Sequence, residues 1–259
     1  MRIVSLVPEA AEILNALGLG GAVTELPADA VTTPGRLAAA LQAIQPALIF
    51  TSASAAGGGV PRAAVRRAIA AHRPRPAVYA LEPHTLGDIL SDIKTVGDAT
   101  GRQQAARTLI EALRVRIDAV TLRSAQALAS GPPTRVACLT VRERLTAAGW
   151  WLAELVGLAG GLDVLHGLGR PPRVVTWAEI EAARPELVLW AEEIAVEPSP
   201  PQPLSAPRAC ARASGEPHRD FLAVTRGELH PGPLAVTLLE RLADAILLPA
   251  GAPLVSARL

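Results

Sequence analysis

Side chains that could hold a ligand follow the predicted strands of this chain. Tryptophan faces pack on apolar surfaces, and hydroxyl, carboxylate and imidazole groups form hydrogen bonds to polar ones. In open α/β sheets, ligands sit beyond the carboxyl ends of the strands, so residues at those ends are the first candidates. Tryptophan supplies four of the aromatic residues, against one Tyr and two Phe. The candidate ligand-binding residues are Pro8, Ser52, Glu82, Trp150, Trp151, Trp190 and His230.

Motifs for catalysis or metal binding are absent from the sequence. It has no nucleophile elbow, no HExxH and no pair of cysteines at metal-ligand spacing. Cys138 lies in an apolar strand pattern, which is typical of a small core residue. The glycines at 57–59 lack the Lys-Ser/Thr of a phosphate loop and indicate a flexible turn. We therefore expect no catalytic residue, no metal site and no required cofactor.

The composition excludes several classes of partner. The formal charge of +1 gives no reason to expect a nucleic-acid partner. No stretch has the roughly 18 apolar residues that cross a bilayer, so we expect no membrane insertion. The chain enters a strand at Arg2 without a secretion signal, which predicts a cytoplasmic location as written. A trimmed or misassigned start would instead suit an extracytoplasmic protein.

Alternating strands and helices position the candidate residues. Short apolar runs predict buried strands, and this alternation predicts an α/β fold with mainly parallel sheets covered on both faces. The predicted strands are 3–7, 47–51, 77–81, 135–141, 187–190 and 221–224. The predicted helices are 8–17, 37–44, 61–71, 85–93, 98–128, 150–158, 176–183 and 233–248. Two stretches, 26–34 and 198–217, show no clear element, and the second predicts a surface loop.

A long helix near the middle organises this pattern. Its apolar residues recur at close to 3.6 residues, Asp98 or Thr100 can cap its first turn, and Gly131 follows its end. A helix of this length would run roughly 40 Å, longer than a small lobe is wide. The sequence therefore predicts an N-terminal α/β lobe over 1–97, a bridging helix over 98–130 and a C-terminal α/β lobe over 131–259.

Several of the candidates also fit a purely structural role. Trp177 lies on a helix face and is predicted to be core, whereas Trp151 and Trp190 fit either core or ligand pocket. His84 follows a proline, so it also fits the start of a helix.

The chain resembles a known family in several stretches that occur in the family's order. The opening residues 2–14 are similar to the RIVSL-x-P-S-A-T-E-I-L start of ABC-importer binding proteins for cobalamin and iron-siderophores. Further similar stretches lie at 44–49, 81–89, 149–155, 159–161, 175–179 and 230–233. The Gly149-Trp150-Trp151 stretch places the cobalamin branch nearest.

This resemblance implies two Rossmann-like lobes joined by one helix, with cobalamin or a related corrinoid held in the cleft between them. It also implies a monomer without enzymatic activity and an ABC importer permease as a possible partner. Relatives use acidic residues for importer docking, but the segment 61–67 offers only basic ones. His230 stands where the family has Arg.

Three other functions stay open. A ferric-siderophore or heme-type receptor on the same fold would need cationic or histidine groups, for which His230 and Arg226 are candidates. A cytoplasmic relative that has lost transport and serves in protein interaction or regulation is also compatible. A Rossmann-like nucleotide enzyme ranks last because its phosphate-binding glycine pattern is missing.

Overall fold

The computed structural model describes residues 1–24, 26, 31, 33–53, 59–141, 144–192, 221–224 and 229–247. They fall into two compact units. Unit 1 comprises Met1–Leu113 with Pro231–Pro233, and unit 2 comprises Arg114–His230 with the chain from Leu234. The predicted loop 198–217, most of the stretch 26–34, the glycines 57–58, and Ser54, Cys210 and Arg226 lie outside the described residues.

Unit 1 is built on a parallel sheet of four strands in the order β2-β1-β3-β4. Its strands are β1 (Ile3–Ser5), β2 (Val23–Thr24), β3 (Leu48–Ser52) and β4 (Ala77–Leu81). Its helices are α1 (Pro8–Ala16), α2 (Pro34–Ile44), α3 (Arg62–Ala68) and α4 (Leu86–Thr100), with a 3₁₀ turn at Gly20–Ala22. Every residue of β3 is buried, as expected for the centre of a parallel sheet covered on both faces.

Capping residues fix the ends of α4. The Thr85 hydroxyl accepts from the Asp88 N–H, and the Asp88 carboxylate accepts from the Thr85 N–H, so two N–H groups at this end of the helix are satisfied. At the other end Gly101 adopts φ +72°, a left-handed conformation that stops the helix.

The helix predicted to begin at 98 therefore begins later. Asp98 and Thr100 lie in the last turn of α4 and cap nothing, because Gly101 separates two helices at this point. The long helix α5 is Gln103–Leu128, and the division between the two units falls within it, after Leu113. A periodicity that continues through both helices hides this break in the sequence.

Unit 2 contains a mixed sheet in the order β10-β9-β5-β6-β8, with β7 paired to the first half of β5. Its strands are β5 (Thr134–Val141), β6 (Leu145–Ala147), β7 (Gly161–Asp163), β8 (Arg173–Val174), β9 (Leu187–Glu192) and β10 (Phe221–Val224). Its further helices are α6 (Trp151–Leu158), α7 (Trp177–Ala183) and α8 (Leu234–Leu247). Strands β5, β7, β9 and β10 are parallel, so the predicted α/β class with mainly parallel sheets is confirmed.

An antiparallel corner in unit 2 was not expected from the sequence. Strand β6 pairs antiparallel with both β5 and β8. Both β6 and β8 are too short, at three and two residues, to show a strand period. Among the described residues, no helix combines the length and apolar character needed to span a membrane.

Candidate functional site

Three predicted ligand-binding residues share the carboxyl edge of the unit 1 sheet. Ser52 ends β3 and pairs with Leu81 at the end of β4, and Glu82 follows directly. Ser5 ends β1 beside Phe50, and Pro8 lies three residues further on as the first residue of α1. Parallel strands thus bring Pro8, Ser52 and Glu82 to one edge, where α/β proteins place ligands.

The chain that returns from β3 covers part of this edge. A side-chain atom built on Gly59 would lie 2.6 Å from Val7 Cγ1 and 3.2 Å from Ser52 Cβ, so only glycine fits. Ser52 donates its N–H to the Val60 carbonyl at 3.2 Å, and the Thr51 hydroxyl donates to the same oxygen. Ser52 is consequently 1% exposed, whereas Pro8 is exposed and Glu82 is half-buried. Of these three residues, Pro8 and Glu82 therefore form the accessible part of the edge.

A buried carboxyl group, Glu9, and a half-buried one, Asp92, lie behind this edge, and sequence reasoning missed them. Glu9 in the first turn of α1 is 7% exposed, and burial raises its pKa to about 7. Burial, followed by repulsion from Glu9 and Asp88, also raises the pKa of Asp92 on α4 to about 7. Asp92 Oδ2 is buried, and no residue that the structure describes forms a hydrogen bond with it. Near neutral pH these groups can hold or release protons, because their charged forms are poorly solvated.

Signals for both carboxyl groups were present in the sequence. Glu9 stands where the resembled opening has Ser, a change from a small hydroxyl to an ionisable group. Asp92 lies three residues after Ile89 and four before Val96, both of which are fully buried, so it shares their side of α4. Helix α1 packs against α4, which brings the two acids near each other.

In unit 2, Trp150 has a strained backbone. Its φ of +53° and ψ of −129° lie in a region that glycine favours and that is unusual for a bulky residue. The neighbouring Gly149 has no room for a side chain, since a Cβ there would lie 2.2 Å from the Arg170 carbonyl oxygen. The Trp150 N–H donates to that carbonyl at 2.8 Å. Strain of this kind concentrates at functional sites, which keeps Trp150 a candidate.

The position of Trp150 and Trp151 in the sheet differs from the sequence prediction. They were expected at the carboxyl ends of parallel strands, but they follow β6, which runs antiparallel to β5. The last residue of β6, Ala147, pairs with Leu139, two residues before β5 ends at Val141. The structure therefore sets both tryptophans back from the carboxyl ends of β5 and β9. Trp151 is 7% exposed, and Trp150 is half-buried.

The sequence predicted that Trp190 ends its strand. This prediction is wrong, because β9 continues to Glu192. It is 6% exposed and belongs to the core of unit 2. Its ring stacks on that of Trp177, with centroids 6.2 Å apart and planes 13° from parallel. Trp177, which was predicted to be core, is partly buried and packs against this core. His230 is half-buried just before Pro231.

Histidine and acidic groups near the edge of unit 1 do not gather as a metal site. Among the residues that the structure describes, no group of three or more His, Cys, Asp or Glu side chains could hold a metal ion. His84, two residues after Glu82, is exposed, and its N–H donates to Asp88 Oδ2 at 3.1 Å as part of the start of α4. His84 was predicted to lie at the start of a helix, and its backbone N–H does take part in capping α4.

Comparison with solved structures shows the same fold in binding proteins. A periplasmic heme-binding protein from Pseudomonas aeruginosa matches with a TM-score of 0.74 at 19% identity, over 96% of this chain and 93% of its own. The periplasmic heme-binding protein RhuT from Roseiflexus sp. RS-1, in apo form, matches with a TM-score of 0.72 at 20% identity, over 95% and 97%. The periplasmic vitamin B12 binding protein BtuF of Vibrio cholerae matches with a TM-score of 0.65 at 18% identity, over 95% and 96%.

No family model matches the chain, and no curated protein matches it by sequence. The structural matches confirm the resemblance on which the fold was predicted, since they include heme and vitamin B12 binding proteins. They give no support to the cytoplasmic location expected from the sequence, because the names of all three describe periplasmic proteins.

Proposed function

We propose that this chain is a non-enzymatic, extracytoplasmic binding protein that delivers a broad, metal-carrying macrocycle to an ABC importer. The observation that carries the proposal is the match to heme and vitamin B12 binding proteins along at least 95% of this chain. Fold alone does not fix function, so the ligand is argued from the site.

The edge of unit 1 offers groups suited to such a ligand. Pro8 is exposed and apolar, and Glu82 places a half-buried carboxylate on the same edge. A corrinoid is a largely apolar disc with an amide fringe, so its face can pack on Pro8 while its amide N–H groups donate to Glu82. In unit 2 the strained Trp150 is the aromatic candidate. A corrinoid is our first candidate ligand.

Heme is the second candidate, favoured by one residue. His84 is exposed two residues beyond Glu82, and a neutral imidazole is a common axial ligand of heme iron. Both heme-binding proteins named above match with higher TM-scores than the vitamin B12 protein.

Titration with cyanocobalamin tests the first candidate. We expect saturable binding at micromolar concentration, followed by absorption and tryptophan fluorescence. Glu82→Gln should weaken it about tenfold, because a hydrogen bond to a charged group is lost. Glu111→Gln makes the same chemical change at an exposed position of α5 and should leave affinity unchanged.

Titration with hemin separates the two ligands. If heme is the ligand, hemin binding shifts the Soret band, and His84→Ala removes that shift without altering any response to cyanocobalamin. A protein that binds neither compound up to millimolar concentration would contradict the proposal.

A further inference from the structure

The segment between β3 and β4 carries a concentrated positive charge. Between Ala30 and Leu81 the sequence contains six arginines and no Asp, Glu or Lys, whereas the whole chain has a net charge of only +1. Five of the six lie on α3 or in the connection from α3 to β4, and all five are exposed. They are Arg62, Arg66, Arg67, Arg73 and Arg75.

These arginines are not neutralised by neighbouring acids. Within the part of the chain that the structure describes, none of the five forms an ion pair with a carboxylate. Arginines elsewhere in the molecule do so: Arg116 and Arg173 each hold a glutamate within 2.7 Å. A cluster of like charges without counter-charges repels itself, so it is retained at a cost in stability.

A cavity opens among these arginines. It has a volume of about 400 Å³ and is lined by Arg66, Ile69, Ala70, Arg75, Pro76 and Val78. This volume lies in the range of small-molecule sites, about 300–1,000 Å³. Two guanidinium groups thus share one cavity with an apolar wall, of which Ile69 and Pro76 are buried.

The carbonyl groups at the end of α3 would repel an anion if they were left open. Two guanidinium groups cover them: Arg73 Nη1 donates to the carbonyls of Ala70 and His72 at 3.2 and 2.7 Å, and Arg75 Nη2 donates to that of Ala70 at 3.4 Å. Arg75 uses one N–H in this way out of the five that a guanidinium carries. The Arg66 side chain makes no hydrogen bond or ion pair to any residue that the structure describes.

From this arrangement we propose that the cavity binds the phosphate group of an amphipathic molecule, with Arg66 and Arg75 on the phosphate and Ile69, Pro76 and Val78 against its apolar part. A guanidinium fork matches phosphate oxygens in a bidentate manner, which makes arginine the usual residue for this task. The same chemistry occurs in a lipid headgroup and in a soluble phosphate ester.

This site is separate from the proposed macrocycle site. It lies at the amino end of β4, next to Ala77, whereas Ser52 and Glu82 lie at the carboxyl edge. A five-residue strand spans about 15 Å, so the two sites can be occupied and mutated independently.

Binding to inorganic phosphate and to vesicles tests the proposal and identifies the source of the phosphate. Calorimetry would use inorganic phosphate and the soluble ester glycerol 3-phosphate. Flotation would use vesicles of phosphatidylglycerol and phosphatidylcholine in equal parts, against vesicles of phosphatidylcholine alone. Saturable binding of the small phosphates without flotation assigns a soluble ligand, and flotation only with phosphatidylglycerol assigns a lipid headgroup; both results support a phosphate site.

Substitutions decide whether the cavity itself is responsible. Arg66→Gln and Arg75→Gln should each weaken the observed binding about tenfold, since each removes a charge-assisted contact. Arg62→Gln removes the same charge one turn earlier on α3, outside the cavity, and should change affinity less than twofold. Circular dichroism would show that all three variants are folded. Absence of binding in every arm, or an equal loss in all three variants, would overturn the proposal.

Discussion

Two glutamates of unit 2 are paired with arginines, whereas Glu9 and Asp92 of unit 1, buried and half-buried, have no arginine partner among the described residues. Arg116 donates to both oxygens of Glu240 at 2.8 and 2.6 Å, and this contact lowers the pKa of Glu240. The hydrogen bond from Arg173 is the largest of several that lower the pKa of Glu179 to about 2. In unit 1, burial instead raises the pKa of both Glu9 and Asp92 to about 7.

Neither pattern is without exception. Lys94 pairs with Asp98 on the surface of unit 1, and burial raises the pKa of Asp163 in unit 2. Asp163 Oδ1 accepts the N–H groups of Leu165 and His166, and these hydrogen bonds partly offset the rise in its pKa. Oδ2 of Asp163 and Oδ2 of Asp92 are both buried without a hydrogen-bond partner among the described residues.

The two units thus differ in how their charged groups are used: charges in ion pairs contribute to stability, whereas charges without partners can contact a ligand. Paired charges on a surface contribute modestly to stability. Unit 1 holds the carboxyl groups of Glu9 and Asp92 behind the carboxyl edge of its sheet, and it holds five arginines without ion pairs to described residues on α3 and in the connection from α3 to β4, an arrangement that costs stability. Groups with perturbed pKa values and charges without partners are typical of binding sites. This difference supports the two proposals, which place a macrocycle at the carboxyl edge of the unit 1 sheet and a phosphate group in the cavity at the amino end of β4.

Replacing Glu9 with Gln should give the largest effect. The carboxyl group of Glu9 has its pKa raised from 4.5 to about 7 on folding, so its contribution to stability is full below about pH 4 and is lost as the pH rises to about 7. At pH 8 the buried charge costs about 3 kcal/mol by the usual conversion. Glu9→Gln should be as stable as the wild type at pH 4 and more stable at pH 8, measured by urea unfolding.

Asp98→Asn serves as the control for this experiment, because Asp98 is exposed and paired with Lys94. It should leave the pH dependence unchanged. If the stability of Glu9→Gln depended on pH in the same way as that of the wild type, the raised pKa of Glu9 and the contrast with the paired glutamates of unit 2 would be contradicted.

Substitutions of Trp150 test whether backbone strain in unit 2 also lowers the stability of the protein. Trp150→Gly and Trp150→Ala remove the same ring, but only glycine adopts φ +53° and ψ −129° freely. We expect the glycine variant to be more stable than the alanine variant by about 1–3 kcal/mol, the usual cost of such a conformation. Thermal unfolding would measure the difference, and an alanine variant of equal stability would show that the backbone is unstrained.

Breaking the Arg116 pair should have the smallest effect. Arg116→Gln removes a bidentate contact whose side chains are 38% and 34% exposed, so we expect a loss of about 1 kcal/mol that shrinks at high salt. The stabilisation from this ion pair has the opposite pH dependence to that of Glu9. Because the pKa of Glu240 is lowered, the stabilisation is present at neutral pH and is lost as the pH falls. Arg114→Gln, at an exposed position of the same helix, should leave the free energy of unfolding unchanged.

The sequence predicted most elements because their signals are local. The capping boxes at Thr85 and Thr176 mark the starts of α4 and α7, and strand β4 has its predicted bounds of Ala77–Leu81. Local signals could not show that Gly101 divides one periodic stretch into two helices. They also could not show the antiparallel pairing of β6, which depends on contacts with β5 and β8.

The candidate site was less accessible to sequence reasoning. Parallel pairing places Pro8 and Glu82 on one edge as expected, because the ends of neighbouring parallel strands coincide. The burial of Ser52 depends on the chain at Gly59, and the core position of Trp190 depends on β9 continuing past it. The raised pKa values of Glu9 and Asp92 arise mainly from burial, and the helical spacing of Asp92 indicates its side of α4 but not how far its carboxyl group is buried.

Calorimetric titration of the unmodified protein with cyanocobalamin and then with hemin would show whether it binds a metal-carrying macrocycle. We expect saturable binding of one of them, with a dissociation constant of micromolar or below. An absence of heat with both compounds up to millimolar concentration, in a protein shown to be folded, would contradict this expectation.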